Sequence, residues 1–180
     1  MKAEWMTLAC LASGLIFSSA QAASPTSHCA PSEKIYFTCE TKQKKVISIC
    51  GSTELSQAQS YLQYRYGKKG FVELEFPKER KGSTKTFFYA HHFRAQFDNT
   101  TLRFENKGVS YEIYRVYDGD SKPAVDIAGV AVTPAAKKRT EIACASLKKE
   151  AYTNELSALE GFASCDPDDA MNLGTCPPAK

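Results

Sequence analysis

Tyr61-Leu62-Gln63-Tyr64-Arg65-Tyr66-Gly67-Lys68-Lys69-Gly70-Phe71-Val72-Glu73-Leu74-Glu75-Phe76-Pro77 reads as a β-hairpin whose register follows from its side-chain alternation. A three-residue loop places a left-handed residue last, where glycine carries no steric penalty, so Lys68-Lys69-Gly70 is the expected loop and Gly67 faces Phe71. Counting outward sets Tyr66 opposite Val72, Tyr64 opposite Leu74 and Leu62 opposite Phe76 on one apolar face. Arg65 then meets Glu73, and Gln63 meets Glu75, on the other face. A slip of one residue would put Tyr64 against Glu73 and mix the faces, which a half-buried sheet resists. Pro77 ends the strand. Tyr61, Tyr64, Arg65 and Tyr66 read either as an aromatic and basic surface of the kind that stacks on bases or sugars, or as a core face backed by a surface ion pair.

The chain has 180 residues, 43% hydrophobic and 24% charged, with a net charge of +3, an ordinary balance for one globular domain. Residues 1–22 read as an export signal: Lys2, an apolar run from Met6 to Phe17, and a small-x-small site at Ala20-Gln21-Ala22. The alternative of a lipoprotein signal at Cys10 is weakened by Thr7, which stands where such signals usually carry leucine. The apolar run is too short to span a membrane and no other run approaches the length required, so no membrane span is expected. The mature chain is expected to start at Ala23, to be exported to the periplasm or secreted, and to be monomeric. Its mild charge implies no particular partner and no specific nucleic acid.

Seven cysteines are present, and Cys10 leaves with the signal. The even set Cys29, Cys39, Cys50, Cys144, Cys165 and Cys176 in an exported chain points to three disulfides. Residues 23–34 form a Ser/Pro-rich lead-in expected to be mobile apart from Cys29. Residues 35–146 read as the antiparallel β domain. Ile35 to Thr41 alternates Ile35, Phe37 and Cys39 on one face, and Val46 to Cys50 returns. Placing Ile47 and Ile49 beside Phe37 and Cys39 sends Cys50 to the opposite face, so Cys39 and Cys50 are not expected to bond. Cys39 and Cys144, on the first and last strands, become neighbours if the sheet closes on itself. Cys50 is left for Cys29 or a tail cysteine.

Thr86 to Phe93 is strand-like. Thr101–Glu105 and Val109–Val116 make a hairpin around Asn106-Lys107-Gly108, with Phe104 and Leu102 facing either Val109 and Tyr111 or Tyr111 and Ile113. Asp118-Gly119-Asp120 is a turn, Val125 to Thr133 a strand, and Thr140 to Ala145 the last strand. Residues 147–180 read as a cysteine-containing tail packed on that domain, with a short helix from Asn154 to Glu160. Eight or nine strands with little helix argue an all-β antiparallel barrel or two-sheet sandwich.

Candidate chemistry is sparse. His91 and His92 are adjacent, so in a strand they face opposite ways and do not share a metal; His28 beside Cys29 is a weaker ligand still. Glu73 and Glu75 on one strand face lie roughly 7 Å apart, which suits glycosidase chemistry, but Arg65 and Gln63 oppose them. Neither G-x-S-x-G, H-E-x-x-H nor a phosphate loop occurs. Asp166-Pro167-Asp168-Asp169 starts like a calcium loop but lacks glycine at position six, where Met171 stands, and a closing glutamate. Asn99-Thr100-Thr101 is a glycosylation sequon. No cofactor, metal or catalytic residue is expected, and the chain is read as a non-enzyme. The lysine-rich turns, with Lys68, Lys69, Lys137, Lys138 and Arg139, form a positive rim for anionic polymers if they gather with Tyr61 and Arg65.

The runs Phe37-Thr38-Cys39-Glu40-Thr41, Val46-Ile47-Ser48-Ile49-Cys50-Gly51-Ser52 and Tyr61 to Gly67 resemble a group of short exported bacterial proteins without an assigned activity. That resemblance implies an address and a β-rich fold, and no catalytic residues. The chain is more loosely similar to bacterial inhibitors of c-type lysozyme, through an early strand carrying Cys39 and the all-β pattern. Their S-G-x-x-Y-type loop is not evident. The expected function is a binding module for a protein or an anionic envelope polymer, with inhibition of a lytic enzyme such as lysozyme, or a hydrolase using Glu73 and Glu75, as alternatives.

Overall fold

The computed structural model describes residues 25–55, 59–169 and 176. The export signal with Cys10, and positions 170 and 171 of the acidic segment, lie outside the described residues. Among the described residues, eleven strands form two sheets. The first contains β1 (Lys34–Glu40), β2 (Lys45–Gly51), β3 (Leu62–Lys68), β4 (Phe71–Phe76) and β10 (Tyr152–Asn154), in the order β10-β1-β2-β3-β4. The second contains β5 (Phe88–Arg94), β6 (Phe97–Asn106), β7 (Val109–Asp118), β8 (Val125–Pro134), β9 (Thr140–Ala143) and β11 (Ser164–Cys165), in the order β11-β5-β6-β7-β8-β9. The described sheets do not close into a barrel, so the architecture is a sandwich. At one corner they touch: Thr41 bridges Cys144, and the Ala145 N–H donates to Glu40 O at 2.8 Å. The Cys39–Cys144 disulfide sits at that corner and joins the sheets.

The core follows from the alternation. Phe37, Ile47, Ile49, Leu62 and Tyr64 of the first sheet meet Tyr89, Leu102, Phe104, Ile113 and Val130 of the second, all buried. Phe104 sits among rings, with Phe76 at 4.5 Å, Tyr111 at 4.9 Å and Tyr64 at 5.0 Å between centroids. The Lys107-Gly108 turn is two residues long, so Phe104 faces Tyr111 and Leu102 faces Ile113.

The β3–β4 hairpin keeps its predicted faces but not its predicted register. Lys68 pairs with Phe71 across a two-residue Lys69-Gly70 turn, and a bulge follows, after which Tyr66 faces Leu74, Arg65 faces Glu75 and Tyr64 faces Phe76. The net displacement is two residues, which preserves side-chain alternation. Gly67 makes the bulge possible, because a Cβ there would lie 2.2 Å from Phe71 O and 2.7 Å from Glu73 N.

Two further expectations are corrected. The tail contains no α-helix among the described residues: Leu156–Leu159 is a single 3-10 turn whose two leucines are buried, and the backbone has already left Tyr152–Asn154 as a strand on β1. The lead-in is not loose. Residues 25–34 lie across the outer face of the first sheet, fixed by the Cys29–Cys50 disulfide. Thr38 Oγ1 donates to Thr26 O at 2.9 Å, and the His28 N–H donates to Ser48 Oγ at 3.0 Å. Thr38, Ser48, Gln63 and Arg65 are therefore buried rather than facing solvent.

Candidate functional site

The predicted basic surface is not one surface. Arg65 is buried, and its guanidinium is used up. Glu33 receives both terminal nitrogens, Glu75 receives Nε at 3.0 Å, and Gln63 Oε1 and His28 O accept the rest. Burial alone would push the Glu33 carboxyl up. Hydrogen bonds from Arg65 and the Ala30 N–H, with the Arg65 charge and the Tyr61 hydroxyl, hold it below the usual range instead. Tyr61 donates to Glu33 at 3.0 Å and lies under the Arg80 guanidinium at 4.8 Å. This network docks the lead-in, and the buried Arg65 guanidinium is fully engaged within it, while Arg80 at its rim stays half exposed. Lys68 and Lys69 sit at the end of β3 remote from Tyr61, a strand length of roughly 20 Å from it and about 10 Å along the strand from Arg65. Lys137 and Lys138 are exposed in the β8–β9 turn, while Arg139 is tied to Glu112 and Glu141.

Glu73 and Glu75 are each ion-paired, with Lys45 and with Arg65 and Lys78. The hydrogen bond from Lys45 holds the Glu73 carboxyl low. A general acid needs the opposite shift. Cys29, Glu33 and Cys50 place potential metal ligands together, but the two sulfurs are bonded to each other and supply no thiolate. The acidic turn is an anchor: Asp166 takes Nε and Nη2 of Arg103, both at 2.7 Å. Above it lies a cleft of about 420 Å³ lined by Phe76, Phe88, Arg103, Glu105 and Pro167 among others. Its one cation, Arg103, is surrounded by Asp166, Asp168 and Glu105.

The inner face of the second sheet provides a different site. Beyond the core row Tyr89–Leu102–Ile113–Val130, the alternation continues to His91, Thr100, Arg115 and Ala128, and then to Phe93, Asp98, Tyr117 and Asp126. β6, β7 and β8 are ten residues each, so this last row stands past the core. Phe93 is 72% exposed and Tyr117 is 37% exposed. Diagonal pairs cross the face, with His91 Nε2 to Asp98 at 3.0 Å and Arg115 to Asp126 at 2.6 Å. His92 points to the other face, against Phe97.

Two phenols border this row. Tyr89, 7% exposed, has a buried hydroxyl with no hydrogen-bond partner among the described residues, and its ring centroid is 6.4 Å from that of His91. Burial, reinforced by the charges of Glu160 and Asp98, pushes it up to about 12. The buried Tyr152 hydroxyl lies beside Arg115 without meeting hydrogen-bond geometry. Burial also raises it, Arg115 opposing and Asp126 and Asp98 adding. Both are neutral O–H groups at pH 7. A Cβ at Gly119 would meet Gln96 Oε1 at 2.5 Å and Tyr117 Oη at 2.9 Å, so glycine leaves room for the Tyr117 ring.

Phe93 and Tyr117 escaped the sequence reading because strand alternation makes them look like core residues. The only signal was that β6 and β7 outrun the apolar set they need. Asn99 lies in mid-strand with its amide oxygen buried, which places the sequon inside the sheet. The fold and site define a disulfide-linked β-sandwich with a polar, aromatic-edged sheet end. No protein-family model matches the chain, and no curated protein or solved structure matches it significantly.

Proposed function

We propose that the protein is an exported, non-enzymatic binding module that recognises a protein or a cell-envelope polymer through the projecting end of the second sheet. The observation that carries this reading is the exposed pair Phe93 and Tyr117 beside the His91–Asp98 and Arg115–Asp126 pairs. Exposed aromatic rings on rigid strands give contact area at little ordering cost. The three disulfides fit an oxidising compartment, the periplasm or the outside of the cell. No described helix is long and apolar enough to cross a membrane. If the retained partner is a lytic enzyme such as lysozyme, recognition amounts to inhibition, and that enzyme loses activity at stoichiometric amounts.

The test uses the oxidised protein as bait in envelope extract, beside a Phe93→Ala/Tyr117→Ala variant and a reduced, alkylated sample. A partner retained by the first and lost by both others supports the reading. Equal retention by the double variant, or retention only by the lysine-rich turns and released by salt, overturns the assignment to this sheet end.

A further inference from the structure

We infer that the hairpin tips of the first sheet are a docking surface for an anionic lipid bilayer. The inference is independent of the partner site on the second sheet and concerns residues that reading does not use. The β1–β2 and β3–β4 turns lie side by side, because β2 pairs with β3 and Lys45 stands opposite Lys68. Lys45 ties the two tips together, with its ammonium on the Glu73 carboxylate and 5.2 Å from the centre of the Tyr66 ring. Lys42, Lys44, Lys45, Lys68 and Lys69 stand here against only Glu40 and Glu73, a local charge of +3 that equals the net charge of the whole chain. Lys44 and Lys45 take the two carboxylates, while Lys42, Lys68 and Lys69 are exposed and make no ion pair among the described residues. Beside these lysines stand two apolar side chains that the core does not use. Phe71 is 65% exposed and Val72 is 38% exposed, both past Tyr66 and Leu74, the last pair of that hairpin packed against the core.

Charge and apolar surface together select the partner. A second copy of the chain, docked tip to tip, would set lysine against lysine across a two-fold contact. A soluble polyanion would engage the lysines and leave Phe71 and Val72 in water. A bilayer with anionic headgroups meets both kinds of group: the lysines reach the headgroup charge, and the apolar side chains enter the boundary between headgroups and acyl chains. The Lys69-Gly70 turn is two residues long, so the Phe71 ring at its base enters that boundary while β3 and β4 keep their pairing.

The experiment measures cosedimentation of the oxidised protein with phosphatidylcholine vesicles that contain or lack phosphatidylglycerol, and its binding to dextran sulfate by calorimetry. The expected result is binding to the anionic vesicles alone, weakened by salt. Lys68→Gln/Lys69→Gln should weaken it about 25-fold, at roughly fivefold per lysine. Phe71→Ala should weaken it about tenfold, and Phe71→Leu, still apolar, should keep most of it. Emission from a Phe71→Trp variant, read against the unsubstituted protein, should shift to the blue on the vesicles and be quenched by brominated acyl chains. Because Phe71 is exposed, these variants should keep the unfolding midpoint of the unsubstituted protein. The inference is overturned if the protein leaves the anionic vesicles unbound at millimolar lipid, if Phe71→Ala binds them undiminished, or if the Phe71→Trp emission does not move. Dextran sulfate held equally by Phe71→Ala, with no vesicle binding, would make the tips a polyanion site; dimerisation abolished by Phe71→Ala would make them a contact between copies. Either result overturns it. Vesicle binding that survives in Phe93→Ala/Tyr117→Ala supports the inference whatever becomes of the partner site, and binding lost in that variant moves the bilayer to the second sheet and refutes it.

Discussion

Replacing Arg65 by methionine asks whether charge holds the lead-in against the first sheet. Methionine fills much of the space of the arginine stem but withdraws the guanidinium that Glu33 receives through both terminal nitrogens. The Glu33 side chain is only 1% exposed, so the orphaned carboxylate regains water only if residues 25–34 lift off. Breaking a buried pair from one side costs about 3–5 kcal/mol. Glu33 keeps the Ala30 N–H at 2.7 Å, the Tyr61 hydroxyl at 3.0 Å and Arg80 at 3.2 Å, which places the cost at the lower end, about 3 kcal/mol. For a chain of this size that is a fall in Tm of roughly 6–12 °C. The assay is urea and thermal unfolding of the oxidised protein by circular dichroism at pH 7, for Arg65→Met, Glu33→Gln and the double variant. Removing both charges leaves neither buried alone, so the double variant should lose less than the sum, with a coupling of at least about 1 kcal/mol. A loss under about 1 kcal/mol for Arg65→Met, with additive singles, would refute the argument that this pair is shielded from solvent.

The same pair sets an acid limb. Because the folded Glu33 carboxyl is held below its ordinary value of 4.5, its stabilisation is full above that value and fades as pH falls through the lower folded one. Urea midpoints should therefore drop below pH 4.5, and less steeply in Glu33→Gln; parallel limbs would contradict this. Removing the Cys39–Cys144 bridge by paired alanines opens a separation of 105 residues and should lower stability by about 4.7 kcal/mol, against roughly 3 kcal/mol for the Cys165–Cys176 bridge with a separation of 11. Reversed order in urea midpoints would count against the chain-entropy account. Gly67→Ala drives a Cβ into two backbone atoms and should cost about 2 kcal/mol or more. Hydrogen exchange at Val72 and Glu73 should accelerate with it, and unchanged protection there would remove the bulge from the explanation.

What the residues revealed in advance was what strict alternation controls. Putting Ile47 and Ile49 beside Phe37 and Cys39 separated Cys50 from Cys39, and the structure pairs Cys39 with Cys144 and Cys50 with Cys29. Alternation is blind to displacement by two, so the β3–β4 pairing slipped past it at a bulge that only the close backbone approach at Gly67 requires. It is equally blind to what lies on a polar face. Thr38, Ser48 and Arg65 spell a solvent-facing row, and the Ser/Pro composition of residues 25–34 hides that this segment covers it. Cys50 on that same face was the available clue, since a cysteine there needs a partner from outside the sheet. The candidate site was illegible for a related reason: Phe93 and Tyr117 continue a core pattern past the place where the core ends.

The tail segment from Tyr152 to Cys165 has a consequence for the order of assembly. Its three residues at β10 flank β1, and its two at β11 flank β5, so one late piece of chain shields an open margin of each sheet. Until it is synthesised, both margins present unpaired backbone groups, which are templates for strand addition by another molecule. A chain truncated after Cys144 would retain most of the core and two of the three disulfides, yet expose both margins together. Such a fragment would offer both margins for strand addition, and in the folded chain the tail is what covers them.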